Sequence, residues 1–95
     1  MRRDVIMPVV TVDVGTKPTR LLNRNPKRVV FSVINDSSTV VYIGFDSNVS
    51  TTGKRRGVKL DANGGWCEDE YHKGEVWAIA EAPTQVTVVE VSEGE

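Results

Sequence analysis

Cysteine is nearly absent from this chain of 95 residues: Cys67 stands alone, so no disulfide within the chain can staple the fold. His72 is likewise the single histidine. One Cys and one His cannot complete a zinc site, which needs a second ligand pair, nor do they supply a nucleophile, a base and a group to orient it. No apolar run approaches the ~20 residues of a membrane-spanning helix. Arg2-Arg3 leads into Asp4 and Pro8 rather than into the apolar region of a signal peptide. The expectation is synthesis in the cytoplasm and no membrane partner. Neither sign of charge prevails. Twelve basic and 13 acidic residues leave a net charge of −1, so nothing global draws the chain to nucleic acid. A phosphate-binding loop is missing too, because the Gly53-Lys54 pair lacks the earlier glycine and a following helix.

What the chain does have is valine, in alternating runs. Period-two alternation of β-branched and aromatic residues marks strands with one buried face. Val9–Val14 reads VVTVDV, with Val10, Val12 and Val14 on one side. Gly15-Thr16-Lys17-Pro18 breaks it, and Thr19–Asn23 is a shorter strand. The stretch Arg28–Asp46 places Val29, Phe31 and Val33 on one face, then Val41, Ile43 and Phe45. Asn35-Asp36-Ser37-Ser38 lies between them, which predicts a β-hairpin. Val58–Leu60 and Trp66–Glu68 flank Asp61-Ala62-Asn63-Gly64-Gly65, which predicts a second hairpin with positive φ in its turn. Glu75–Ala82 is bounded by Gly74 and Pro83 and alternates Trp77 and Ile79 with Ala78 and Ala80, so it reads as a strand rather than a helix, with Trp77 in the core. Gln85–Val91 is the last strand.

The total is an all-β domain spanning residues 1–95: a small β-sandwich, with the jelly roll among its candidate arrangements, of seven or eight short antiparallel strands. Residues 1–7 are expected to form a mobile or partner-dependent arm, and 92–95 a frayed tail. A core this small without disulfides favours a homo-oligomer.

Local chemistry is thin. The segment Cys67-Glu68-Asp69-Glu70-Tyr71-His72 crowds acidic groups together, but without the regular spacing of a calcium loop it reads as a solvated acidic turn. Lys54-Arg55-Arg56 is the one dense basic run. It would touch phosphates only if Arg2, Arg3, Lys27 and Arg28 gathered beside it; acidic groups on a protein partner suit it as well. Trp66, next to Gly64-Gly65, is the one candidate for an exposed sugar-stacking platform. Catalytic residues, cofactors and metals are all expected to be none. The candidate partner surface is Val49, Arg55, Arg56 and Trp66, the adhesive side chains in segments expected to be exposed.

Several turns and strands share their wording with a known group. These are Asn25-Pro26-Lys27-Arg28, Val41-Tyr42-Ile43-Gly44, Asn48-Val49, Gly57-Val58-Lys59-Leu60, Gly64-Gly65-Trp66 and Gly74-Glu75-Val76-Trp77-Ala78-Ile79. Over residues 20–91 the chain resembles small β-rich virion structural proteins of tailed bacteriophages and prophages: head decoration or cement proteins, or accessory head-tail proteins. The loop TTGKRRG is longer here than in that pattern. The resemblance implies a non-enzymatic part of the virion that binds copies of itself and the major capsid protein or another virion protein. It supplies no site residues. The alternative is a small carbohydrate- or nucleic-acid-binding β module.

Overall fold

The computed structural model describes residues 5, 6, 8–52 and 57–93, and all regular structure among them is strand. Eight strands have three residues or more: β2 (Val9–Val14), β3 (Thr19–Leu22), β4 (Arg28–Asn35), β5 (Val41–Gly44), β6 (Val58–Leu60), β7 (Gly65–Asp69), β8 (Val76–Ala80) and β9 (Thr84–Glu93). A two-residue strand, β1 (Val5–Ile6), precedes them.

The pairing follows one rule. β2 pairs β9, β3 pairs β8, β4 pairs β7 and β5 pairs β6, all antiparallel, as if the chain were a single long ribbon folded back at the β5–β6 connection. Rolling that ribbon adds the pairs β4·β9 and β5·β8. The result is two sheets, β2-β9-β4-β7 (sheet A, with β1 continuing the β2 edge) and β3-β8-β5-β6 (sheet B). That strand order is a jelly roll, one of the double-sheet solutions to burying one face of each sheet.

This topology corrects both expected hairpins. β4 and β5 lie in opposite sheets, so residues 36–40 form an arch over the end of the sandwich. β6 and β7 are likewise split between the sheets, although their connection has the anticipated geometry, with positive φ at Asn63 and Gly64. At the termini a short pairing is present. Val5 and Ile6 pair with Glu93 and Ser92, and Ser92 is buried. The rest of the arm, residues 1–4 and 7, lies outside the described residues, as do 94–95.

The core between the sheets holds Val14, Leu21, Leu22, Phe31, Val33, Val41, Ile43, Leu60, Val76, Ala78, Ala80, Val86 and Val88. The alternation read from sequence puts most of these inward. Two strand ends depart from it. A register shift between Arg28 and Val30 leaves Val29 exposed, and Arg28 turns in instead. Phe45 falls just past the end of β5 and is exposed, its ring 4.4 Å from that of His72. Trp77 is corrected as a core residue: β8 turns Ala78 and Ala80 inward, so Trp77 is half-buried on the outer face of sheet B with Tyr42, Ile79 and Val49.

Strand β4 is pinned at both ends by a buried polar residue. At its start the Arg28 side chain is only 1% exposed. Its Nε donates to Glu90 Oε2 at 2.9 Å, Nη1 to the carbonyls of His72 and Gly74 at 3.0 and 2.9 Å, and Nη2 to the Asn23 carbonyl at 2.6 Å. Asn25 Nδ2 reaches Glu90 Oε2 and Ser92 Oγ beside it. At the other end Asn35, fully buried, donates from Nδ2 to the carbonyls of Thr39, Leu60 and Asp61. Its Oδ1 accepts from the backbone and hydroxyl of Ser37. Asn35 thereby ties the 36–40 arch to the β6–β7 connection.

Both pins are testable in urea. Arg28→Ala should lower the unfolding free energy by about 3–5 kcal/mol, because Glu90 loses its ion-pair partner and the carbonyls of Asn23, His72 and Gly74 lose their donor. Arg28→Lys should recover only part of that, since an ammonium cannot span four acceptors in a plane. Asn35→Ala should cost about 2–3 kcal/mol through the carbonyls it strands. A loss below about 1 kcal/mol for Arg28→Ala would show that the guanidinium does not organise that end.

Candidate interaction surface

The two outer faces of the sandwich are treated differently. On sheet B, Tyr42, Trp77 and Ile79 project outward, and the chain covers them itself. Val49 folds back from the β5–β6 connection onto this face and is 5% exposed. The absence of a side chain at Gly44 makes room for it: a Cβ there would lie 2.5 Å from Val49 Cβ. Arg20 lies over the Trp77 ring at 6.0 Å and pairs with Glu75 at 3.2 Å.

Sheet A has no such cover among the described residues. Its register sets three rows across the strands on the outer side. One runs Thr11, Thr87, Ile34, Trp66, and the next Val9, Val89, Ser32, Glu68. Val91 and Val30 pair beyond them. Val9 is 61% exposed and Trp66 64%, at opposite edges of the sheet. Between them lie partly buried valine, isoleucine and hydroxyl side chains. Asp13, bonded to Gln85 at 2.9 Å, and Glu68 put charge at the periphery. An apolar centre with a polar rim is the composition of a protein interface.

At the β7 edge this face deepens into an open groove of about 450 Å³, lined by Trp66, Glu68, Asp69, Glu70 and Tyr71. Tyr71 is 90% exposed. Asp69 Oδ1 accepts from the backbone N–H of Tyr71 at 2.6 Å and of His72 at 3.0 Å. These bonds hold the Asp69 carboxyl below the usual aspartate range, so it stays ionised. A second depression, about 380 Å³, is lined by Thr11, Asp36, Ser37, Thr84, Gln85, Val86 and Thr87 and brings together no acid-base pair.

The sequence-derived site is therefore dispersed. Trp66 is exposed as anticipated and sits in the groove. Val49 is corrected: it is buried on sheet B, because Gly44 lets it pack against Tyr42 and Ile79. Arg55 and Arg56 lie outside the described residues. Arg28 is corrected as a phosphate contact, since its donors are spent on Glu90 and three carbonyls. Ile34, Val89 and Tyr71 were not among the residues the sequence assigned to a partner surface. The adjacent valines Val88-Val89 were the available signal: one of them had to face away from the core.

Cys67 and His72 do not form a reactive pair. The thiol packs against the core, and burial pushes its pKa up. His72 Nε2 lies 2.8 Å from the Glu75 carbonyl, and its ring is wedged against Phe31 and Phe45. Among the described residues no group of three His, Cys, Asp or Glu could hold a metal ion. No family model, curated protein or solved structure matches the chain.

Cys67 supplies a check on this geometry. At about pH 8 the native protein should react with an aromatic disulfide reagent at least tenfold more slowly than the urea-unfolded chain, roughly the ratio expected for a thiol that is both shielded and less ionised. Equal rates would mean that the β7 edge opens readily.

Proposed function

We propose that this protein is a non-enzymatic structural component of a tailed-phage virion, a capsid decoration or cement protein or an accessory protein, that stabilises the assembled particle. The observation that carries this reading is the uneven cover of the sandwich: sheet B is closed by the chain's own Val49 and Arg20, while among the described residues nothing covers the outer face of sheet A, where Val9 and Trp66 are exposed. Four strands about 4.8 Å apart and about 20 Å long present a face of roughly 400 Å². Thr11, Thr87, Ser32 and Glu68 share that area, so its apolar part is within the size of the largest patch on an ordinary monomer, which is often a functional surface. The resemblance over residues 20–91 supplies the class of partner: copies of this chain, and the major capsid protein or another virion protein. The jelly roll is an architecture shared with viral capsid domains.

The mechanism is linkage. A protein that binds across neighbouring subunits only when they are assembled shifts the equilibrium toward assembly by mass action, and needs no active site. Its place of action is the virion, after synthesis in the host cytoplasm.

One observation favours a second reading. Jelly rolls also serve as lectins, and the Trp66–Tyr71 groove offers two exposed aromatic rings with carboxylates between them, which suits a sugar.

Val89→Lys places a charge at the centre of the bare face without touching the core. Its urea midpoint should stay close to that of the parent, while co-sedimentation with the shells of the encoding phage should weaken at least about tenfold. Undiminished co-sedimentation would remove the outer face of sheet A from the proposal. Binding to a glycan array by both proteins, with no affinity for shells, would favour the sugar reading.

A further inference from the structure

The edge of a sheet is a row of unpaired N–H and C=O groups, and folds blunt such rows against pairing with other chains. Among the described residues the edge strands are β2 and β7 in sheet A and β3 and β6 in sheet B. All but β2 are blunted. β6 is three residues long and carries Lys59. β3 is broken by a register shift between Arg20 and Leu22. β7 sets Glu68 and Asp69 side by side at its end. β2, by contrast, runs six residues as VVTVDV, and its register with β9 is unbroken from Val9 opposite Val89 to Val14 opposite Thr84. Its one charge, Asp13, is bonded to Gln85. Val9 is 61% exposed on the outer side of the sheet, and Val10 is 47% exposed on the side of the core residue Val88. The edge is therefore apolar and open on both sides.

The direction of its free backbone groups follows from one bond. The Glu90 N–H donates to the Pro8 carbonyl at 3.3 Å. Opposite residues of an antiparallel ladder alternate between exchanging hydrogen bonds and not doing so. Counting on from Pro8, Val10, Val12 and Val14 bond to β9, and Val9, Thr11 and Asp13 turn their N–H and C=O groups to the open edge. Proline at position 8 thus removes no donor from that edge. After Val14 the chain leaves sheet A, because the Gly15 carbonyl accepts from the Ala80 N–H in sheet B at 2.8 Å.

We infer that β2 pairs antiparallel with β2 of a second copy, about a two-fold axis at Thr11, so that the two A sheets become one. Paired strands oppose residues of the same face, which puts the axis at a residue and not between residues. With the axis at Thr11, Val9, Thr11 and Asp13 bond to Asp13, Thr11 and Val9 of the copy, roughly six hydrogen bonds in all. Val10 meets Val12 of the copy on the inner side and is covered by it. The two Asp13 carboxylates stand about 13 Å apart along the strands at ~3.3 Å per residue, beyond a screening length of about 8–10 Å. An axis at Val10 carries Asp13 past the end of the partner strand. An axis at Val12 needs Gly15, which is already turned to sheet B. The contact at Thr11 is isologous, so it closes at two protomers and does not grow into a fibre. The inference gives a form to the contact between copies in the proposed function, but it does not require a virion role.

Light scattering of the full chain across a concentration series should rise from the mass of one protomer to that of a dimer and go no further. The contact is made by backbone and apolar groups, so the dimer should persist at about 0.5 M salt. Thr11→Lys and Thr11→Glu each set like charges opposite one another on the axis, and each should weaken association at least about tenfold. An equimolar mixture of the two should restore the dimer, because the axis then joins opposite charges. Glu68→Lys, on the far edge of sheet A, should associate like the parent. Amide hydrogen exchange at Val9, Thr11 and Asp13 should slow as the concentration of the parent rises. The inference is overturned if the parent stays a protomer at every concentration, if it grows beyond a dimer, if either Thr11 variant associates like the parent, or if the mixture fails to recover. Shell co-sedimentation by a strict protomer would defeat this inference and leave the virion reading intact. A dimer that depends on Thr11 and has no affinity for shells would support it and defeat that reading.

Discussion

A guanidinium sealed inside one end of the sandwich is the constraint from which the rest follows. Burying the Arg28 guanidinium is tolerable only because its donors are taken up by Glu90 and three backbone carbonyls. Those acceptors come from β9, from the turn before β4 and from the connection into β8. Satisfying one side chain therefore fixes where three separate stretches of chain must meet. Asn35 repeats the arrangement at the opposite end of β4, with neutral partners. The central strand of sheet A is held at both ends by polar groups that have no alternative partner in the core, and this specifies the folded ribbon more narrowly than apolar burial does.

With the ends fixed, the two outer faces are free to differ. Sheet B spends its outward aromatic and aliphatic side chains on a cover made from the β5–β6 connection, which Gly44 makes sterically feasible. Sheet A carries its outward valines, Ile34 and Trp66 without cover among the described residues. That difference in cover among the described residues is what the proposed assembly role rests on.

Much of the fold was legible in the sequence because strand and face are local properties. Alternation placed Phe31, Val33, Val41 and Ile43 correctly, and Gly74 with Pro83 argued rightly against a helix over Val76–Ala80. Asn63-Gly64 signalled its positive φ. The errors share one cause: a turn between two strands does not say whether they pair or part. Asn35–Ser38 and Asp61–Gly65 both looked like hairpin turns, yet each carries the chain across to the other sheet. Val49 misled for a related reason. It is a lone apolar residue in a polar loop, and only the gap above Gly44, set by strands β5 and β8, gives it somewhere to be buried.

The sequence by itself determined the strand content, most of the inward faces (β8 excepted, where Ala78 and Ala80 rather than Trp77 point in) and the absence of a stapling disulfide, since these depend on residue type and its immediate period. The tertiary structure alone decided the strand order, the burial of Arg28 and Asn35, and which outward face the described residues leave uncovered. Each of those depends on contacts between residues far apart in the chain, as Arg28 with Glu90 or Ile34 with Trp66, and a local pattern carries no record of them.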